Sequence, residues 1–303
     1  MAKILITGGT GLLGNRISQI LKERGDEVHV LSRSKTGLKD GIHYWKWDIK
    51  NKMIEDGVLN VDHIIHLAGA GIADKRWTKE RKKELIDSRI ESSRLLFDEI
   101  KRQNASIQSM ACASAVGYYG DRGNDILKED AAPGEGFLSD VCLAWENEAR
   151  KFSDQLNIPT ASLRIGIVLS EQGGALPKLA MPVKFGAGAY MGNGQQYYPW
   201  VHIDDISRIF IHAIDHNLND IYNATAPHPQ TNKELTKVVA KVLNRPFIPV
   251  PAPEFALKLG MGEMAAVVLY SQNTNSDKIV QTSFKFNFPE LEGALRDIFE
   301  RGV

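Results

Sequence analysis

Three glycines, Gly8, Gly11 and Gly14, stand three residues apart directly after the apolar run Lys3-Ile4-Leu5-Ile6-Thr7. That spacing suits a backbone that must hold a diphosphate. One glycine makes the sharp turn off a strand, and a second lets peptide N–H groups approach the anion. The third lets the following helix sit close on the strand. The phosphates then lie at a helix N-terminus, where unpaired donors and the helix dipole favour negative charge. Lys3–Thr7 reads as a short buried strand and the residues from Leu12 as an amphipathic helix. The expected contact set is Gly8, Thr10, Gly11, Leu12, Leu13 and Gly14.

A second chemical feature closes the next strand, Glu27–Leu31. It runs into Leu31-Ser32-Arg33-Ser34-Lys35 without a carboxylate. An acidic residue there would bond a ribose 2′-hydroxyl and repel a 2′-phosphate, whereas Arg33 can pair with that phosphate and stack on adenine. The sequence therefore predicts NADP(H) rather than NAD(H), with Ser32 and Arg33 in the contact set. The other reading of Arg33 and Lys35 is a solvated basic turn.

The elements that must position these groups alternate. Strands are expected at Ile42–Trp47, His63–Leu67, Ser109–Ala113 and Thr160–Ile167, and helices at Lys79–Arg102 and Ala144–Gln155. Such alternation implies βαβ units: an α/β fold of the Rossmann type, with a doubly wound parallel sheet. From Gly173 glycines and prolines cluster, as expected of a smaller, loop- and helix-rich substrate lobe. We divide the chain into a dinucleotide domain at 1–172 and a lobe at 173–303, with strand Ile221–Thr225 returning to the sheet. Helices are expected at Asn232–Leu243, Glu254–Tyr270 and Leu291–Glu300, with a C-terminal helical domain at about 250–298.

With that frame in place, further segments resemble the extended short-chain dehydrogenase/reductases. The Gly-x-x-Gly-x-x-Gly spacing is their variant of the dinucleotide loop. His66-Leu67-Ala68-Gly69 resembles the loop that passes under the cofactor, which adds Leu67, Ala68 and Gly69 to the contact set. Asp48 resembles the acidic residue that bonds the adenine amino group. Ser114-Ala115-Val116-Gly117-Tyr118-Tyr119-Gly120 is similar to the serine-to-tyrosine turn, and Trp200-Val201-His202-Ile203-Asp204-Asp205 to a Val-His-Val-Asp-Asp segment. Ala68–Trp77, Asp87-Ser88-Arg89, Cys142-x-x-Trp145-Glu146, Gly192-Asn193-Gly194, Gly262-Glu263-Met264 and Ser271-Gln272 narrow the likeness to the atypical "epimerase family" proteins. The likeness spans the whole chain, including a small C-terminal domain of unknown function. It implies NADP(H) binding and names no substrate.

The catalytic pattern departs from that superfamily. Active members carry Tyr-x-x-x-Lys on the helix after the fifth strand, the lysine lowering the tyrosine pKa. None of the eight tyrosines here has a lysine four residues on, and Phe137–Glu146 contains neither residue. Substitutes are Ser114, which would bond a substrate carbonyl or else cap a turn, and Tyr118, a proton donor or a packing residue. Glu146 reads as a general base or a surface carboxylate, and Cys142 as a small buried apolar residue. Arg89 either reaches the cofactor cleft or lies on a solvated helix face. Asp204 and Asp205 are expected to cap a helix, and Trp45 and Trp47 to serve the core or a dimer contact. His63 and His66 point to opposite faces of a strand, so no metal site is expected. The expected function is an NADP(H)-dependent oxidoreductase or epimerase-like enzyme, hydride passing to a carbon oriented by Ser114. The alternative is an NADP(H)-binding sensor or scaffold without turnover.

Lysine plus arginine equals aspartate plus glutamate at 37 each, which removes electrostatic support for nucleic-acid or membrane-surface binding. Two cysteines without metal or redox spacing indicate a reducing compartment. No signal peptide or spanning segment is expected, so the expected setting is cytoplasmic. The expected partner is an unidentified small-molecule substrate, and the expected state a monomer or homodimer.

Overall fold

The computed structural model describes residues 1–186 and 188–302. Seven parallel strands form its centre, in the order Ile221–Ala224, Thr160–Ile165, Ser109–Ala115, His63–His66, Lys3–Thr7, Glu27–Ser32, Ile42–Asp48. A short antiparallel strand, Gly37–Lys39, adds an edge that the sequence pattern does not show. The order reverses beside Lys3–Thr7, and a doubly wound sheet binds ligands at such a point, beyond the strand C-termini.

Both faces of the sheet are covered. Leu12–Arg24 and Ile203–Asp215 pack on one side with Ile4, Ile6, Val28 and Phe210. Lys79–Gln103 and Phe137–Leu156 cover the other with Leu5, Ile64, Leu96 and Phe152. Trp47 is buried in this second core and Trp45 packs against it. A third core joins Trp200, Leu235, Leu295 and neighbours beneath the C-terminal lobe.

Three expectations change. The run Thr160–Ile167 divides at Gly166, which presses on the Pro199 carbonyl so closely that an added Cβ would lie 2.1 Å from its oxygen. Ile167–Leu169 leaves the sheet there and pairs with Trp200–His202. The run Glu254–Tyr270 is not one helix. It breaks at Gly262, whose φ of +61° ends Glu254–Met261 before two short turns, Gly262–Ala265 and Ala266–Leu269. Asp204 and Asp205 do not cap Ile203–Asp215. The His202 ring accepts the Asp204 N–H instead, and Asp205 accepts the backbone N–H groups of Asn287 and Phe288.

Gly14 decides how closely the first helix approaches its strand. A Cβ there would stand 2.5 Å from the Gly8 carbonyl oxygen and 2.5 Å from the Gly9 Cα, both rigid backbone. Gly14→Ala is expected to displace the helix and to lower the urea unfolding midpoint, by about 1–3 kcal/mol of stability, as overpacking usually costs.

Candidate functional site

The strand Lys3–Thr7 turns at Gly8, whose φ is +69° and whose missing side chain admits the Leu67 carbonyl; an added Cβ would lie 2.9 Å from that oxygen. The helix then starts at Leu12 behind Gly11, with no side-chain cap and no acidic residue in its first turn. Thr10 and Gly11 are exposed, and Leu12 and Leu13 half-buried. The first N–H groups of this helix therefore face solvent without a protein acceptor, which is the condition for holding an anion.

A buried hydroxyl–imidazole relay fixes the loop below. Thr7 Oγ1 accepts the N–H groups of Leu67 and Ala68, both at 3.1 Å, and lies 2.7 Å from His66 Nδ1. Its single proton must go to Nδ1, so His66 carries its hydrogen on Nε2, 3.0 Å from Ser93 Oγ. Ser93 in turn donates to the Arg89 carbonyl. Burial pushes the His66 pKa down to about 4, and the ring stays neutral.

Cavities follow the C-terminal edge of the sheet in strand order. Beyond the strands Glu27–Ser32 and Ile42–Asp48 lies one of about 820 Å³, lined by Arg33, Asp48 and Ile49 on one side and Glu84, Asp87 and Ser88 on the other. Arg33 is exposed and makes no ion pair or hydrogen bond among the described residues. Of the facing carboxylates, Glu84 pairs with Arg81 and Asp87 with Lys83, whereas Glu80 and Glu91 have no ion-pair partner among the described residues. Asp48 accepts hydrogen bonds from the backbone and side-chain amides of Asn51, which hold its carboxyl below the usual range. Ser32 is buried, and its Oγ accepts the N–H groups of Ser34 and Lys35, shaping the turn that presents Arg33.

Beyond Ser109–Ala115 and Thr160–Ile165, the fifth and sixth parallel strands in chain order, lies a cavity of about 190 Å³, lined by Arg89, Gly117, Cys142, Trp145, Gly166 and Tyr270, among others. Arg89 follows Ser88 on the long helix, so adjacent residues of one helix line the two cavities. Its side chain turns inward: Cζ lies 4.8 Å from the Trp145 ring centre, Nη1 donates to the Leu85 carbonyl, and Nε has no partner among the described residues. Gly69 makes room for it, since a Cβ there would stand 3.1 Å from the guanidinium carbon. The solvated-face reading of Arg89 does not hold; burial lowers its pKa from the ordinary value. Cys142 is buried and free, its thiol pushed up to about 12 by burial. A third cavity, about 940 Å³, shares Leu138, Ala266 and Tyr270 with this one and opens under the C-terminal lobe.

Ser114, Tyr118 and Glu146 do come together, but around Arg164 and behind the cavity wall. Arg164 Nε and Nη2 donate to the two Glu146 oxygens at 2.8 and 2.9 Å, and Ser114 Oγ donates to Oε1 at 2.6 Å. The guanidinium carbon stacks 3.4 Å from the Tyr118 ring centre, and Nη1 donates to the Tyr119 hydroxyl, which donates to Asn223. Burial opposes the charge on Arg164, and the bonds and charge of Glu146 more than offset it, so its pKa rises. Glu146 is 5% exposed, so the surface-carboxylate reading fails. The general-base reading lacks a route, since both oxygens are occupied and none of the three residues lines the cavity. Sequence reasoning assigned no role to Arg164 in a network, because its partners lie 18 and 45 residues away.

Among the described residues no cluster of three or more histidine, cysteine, aspartate or glutamate side chains could hold a metal, and no helix is long and apolar enough to cross a membrane.

A Rossmann-type sheet with an open helix N-terminus at its switch point and a cleft along its C-terminal edge defines a nucleotide-binding architecture. Residues 4–225 match the NAD dependent epimerase/dehydratase family and residues 252–298 a domain of unknown function, and the chain belongs to that family. The epimerase family protein SSP1921 of Staphylococcus saprophyticus is 35% identical over 301 residues, covering 98% of this chain and 99% of its own. The human epimerase family protein SDR39U1 (isoform 2), solved with NADPH, superposes with a TM-score of 0.87 at 30% identity, over 98% of this chain and 99% of that one. A nucleoside-diphosphate sugar epimerase from Corynebacterium glutamicum gives 0.78 at 30% identity, over 98% of this chain and 58% of its own.

Two outcomes follow. Unfolded His66 binds a proton below its ordinary pKa of 6.5, whereas the folded ring resists until about 4. Stability is therefore expected to be level above pH 6.5 and to fall between 6.5 and 4, by on the order of 3 kcal/mol from this residue. Urea midpoints measured across that window are expected to slope less in His66→Gln. Glu146→Ala leaves Arg164 charged and buried without its partner, and is expected to cost about 3–5 kcal/mol in the same measurement.

Proposed function

We propose that this chain binds NADP(H) along the cleft and works as an oxidoreductase or epimerase-like enzyme of the extended short-chain type. The observation that carries this reading is Arg33, an exposed cavity-lining guanidinium with no ion pair or hydrogen bond among the described residues, on a turn that carries no carboxylate. A 2′-phosphate is the anion that would meet it. The NADPH in the human relative's structure agrees with that choice.

The residues present fit such a ligand. Gly8, Gly11 and the first N–H groups of Leu12–Arg24 would receive the diphosphate, Arg33 the 2′-phosphate and Asp48 the adenine side. Leu67, Ala68 and Gly69, held by Thr7, would form the floor, and Arg89 would face the nicotinamide half. When bound, the dinucleotide supplies or accepts a hydride. The substrate would enter by the larger cavity, between the polar segment Gly192–Gln196 and the C-terminal helices. Two free, buried thiols suit a reducing, cytoplasmic setting.

A second reading, a nucleotide-binding sensor without turnover, is favoured by one observation: the Ser114–Glu146–Arg164 network ties up two of the groups that the sequence offers for catalysis near the fifth strand, Ser114 and Glu146. Thermal shifts with NADPH and with NADH separately test the cofactor. Ligand at a hundred times its Kd stabilises the fold by about 2.7 kcal/mol. NADPH is expected to give the larger shift, and Arg33→Glu to weaken NADPH at least about tenfold while sparing NADH, the loss of a charge-assisted contact. A larger NADH shift contradicts the assignment. Consumption of NADPH with aldehydes, ketones, quinones or sugar nucleotides separates enzyme from sensor.

A further inference from the structure

If the fifth-strand groups are locked in a structural network, the proton must come from elsewhere. The wall that short-chain enzymes furnish with tyrosine and lysine carries Leu138, Val141, Cys142 and Trp145 here, none of which exchanges a proton near neutrality. The tyrosines beside the cavity differ sharply in what their hydroxyls do. Tyr119 donates to Asn223 and Tyr198 to the Val268 carbonyl, while Tyr118, whose ring lies under Arg164 and whose hydroxyl has no hydrogen bond among the described residues, lines neither cavity. Tyr270 differs in position: it lines both the 190 Å³ and the 940 Å³ cavity, where its hydroxyl makes no hydrogen bond among the described residues.

Tyr270 comes from the C-terminal domain, yet its position is set by the sheet. Asp121, in the loop after Ser114–Gly120, accepts the Ser271 N–H at 3.0 Å, and Ser271 Oγ donates to the Gly123 carbonyl. Gln272 Nε2 donates to the Gly120 carbonyl at 3.0 Å. The residues after Tyr270 are thus stitched to the end of the fifth strand, which holds the phenol where the two cavities join. Its Oη lies 3.5 Å from the point where a Cβ on Gly136 would stand, at the N-terminal end of Phe137–Leu156. That end of a helix favours an oxygen bearing negative charge.

The geometry points to Tyr270 as the proton donor and acceptor for a carbonyl or hydroxyl bound at this junction, a catalytic residue supplied by the C-terminal domain in place of Tyr-x-x-x-Lys. The assignment rests on the oxidoreductase reading above. In carbonyl reduction the reduced dinucleotide is the two-electron donor. The C=O π bond breaks as a hydride adds to carbon, the Tyr270 O–H bond breaks, and its proton joins the substrate oxygen to give an alcohol. Water in the larger cavity returns a proton to the phenolate. Oxidation runs through the same groups in reverse.

Tyr270→Phe removes the hydroxyl and keeps the ring. The variant is expected to keep the NADPH thermal shift while losing at least about 100-fold in kcat on any aldehyde, ketone or quinone that the wild type reduces, the usual scale for a general acid. A second readout needs no substrate. The oxidised nicotinamide is cationic and the reduced one neutral, so a neighbouring phenol ionises more readily beside the former. Tyrosinate absorbance at 295 nm near about pH 9.5, wild type minus Tyr270→Phe, is expected to be larger with NADP⁺ than with NADPH. Equal absorbance in the two complexes, or equal rates for variant and wild type, overturns the assignment and leaves cofactor binding standing. A wild type that binds NADPH and reduces nothing in the panel overturns the oxidoreductase reading and this role together.

Discussion

The absence of one methyl group at residue 14 governs the rest of the molecule. Because Gly14 carries no Cβ, the first helix lies against the backbone of Gly8 and Gly9, and its N-terminal peptide groups end directly over the strand tip. Everything about the cleft follows from that closeness. The unpaired N–H groups form a fixed positive end, and Thr7 and His66 clamp the adjoining loop at the level of that end. A side chain at Gly8 would collide with the same loop. Backbone geometry, rather than charged side chains, thus makes the diphosphate end of the site.

Around that centre the molecule separates two uses of buried polarity. One is structural: Arg164, Glu146, Ser114 and Tyr119 satisfy each other in a closed network that ties the fifth and sixth strands to the helix between them. Its members resemble catalytic groups in type, but none of them lines a cavity of the cleft. The other is open: Arg33 and the Tyr270 hydroxyl lack protein partners, and the Arg89 guanidinium bonds only a backbone carbonyl among the described residues. The open groups lie along one cleft and the closed ones behind it, which is how a site can be told from a core here.

Local signals in the chain were enough for the fold. Glycine spacing, alternating apolar runs and the missing carboxylate after Leu31 are all short-range features, and they locate the sheet strands within a few residues. The break at Gly262 was hidden because Glu254–Tyr270 is apolar enough for a helix, and only the positive φ ends it. The split at Gly166 depends on contact with Pro199, 33 residues away, and the His202 cap on a ring that competes with two neighbouring aspartates. Ser114, Tyr118 and Glu146 gather around Arg164, which sets what they do, and no periodicity in the sequence shows that pairing. No local signal marks Tyr270, which lies about 150 residues beyond the strand end that anchors its neighbours.

The account turns on a diphosphate held by peptide N–H groups and a 2′-phosphate held by Arg33. Phosphorus NMR of NADPH titrated with the protein observes both groups at once. Shift or broadening of the diphosphate and the 2′-phosphate resonances together is the expected result. Resonances that stay unchanged at saturating protein would contradict it.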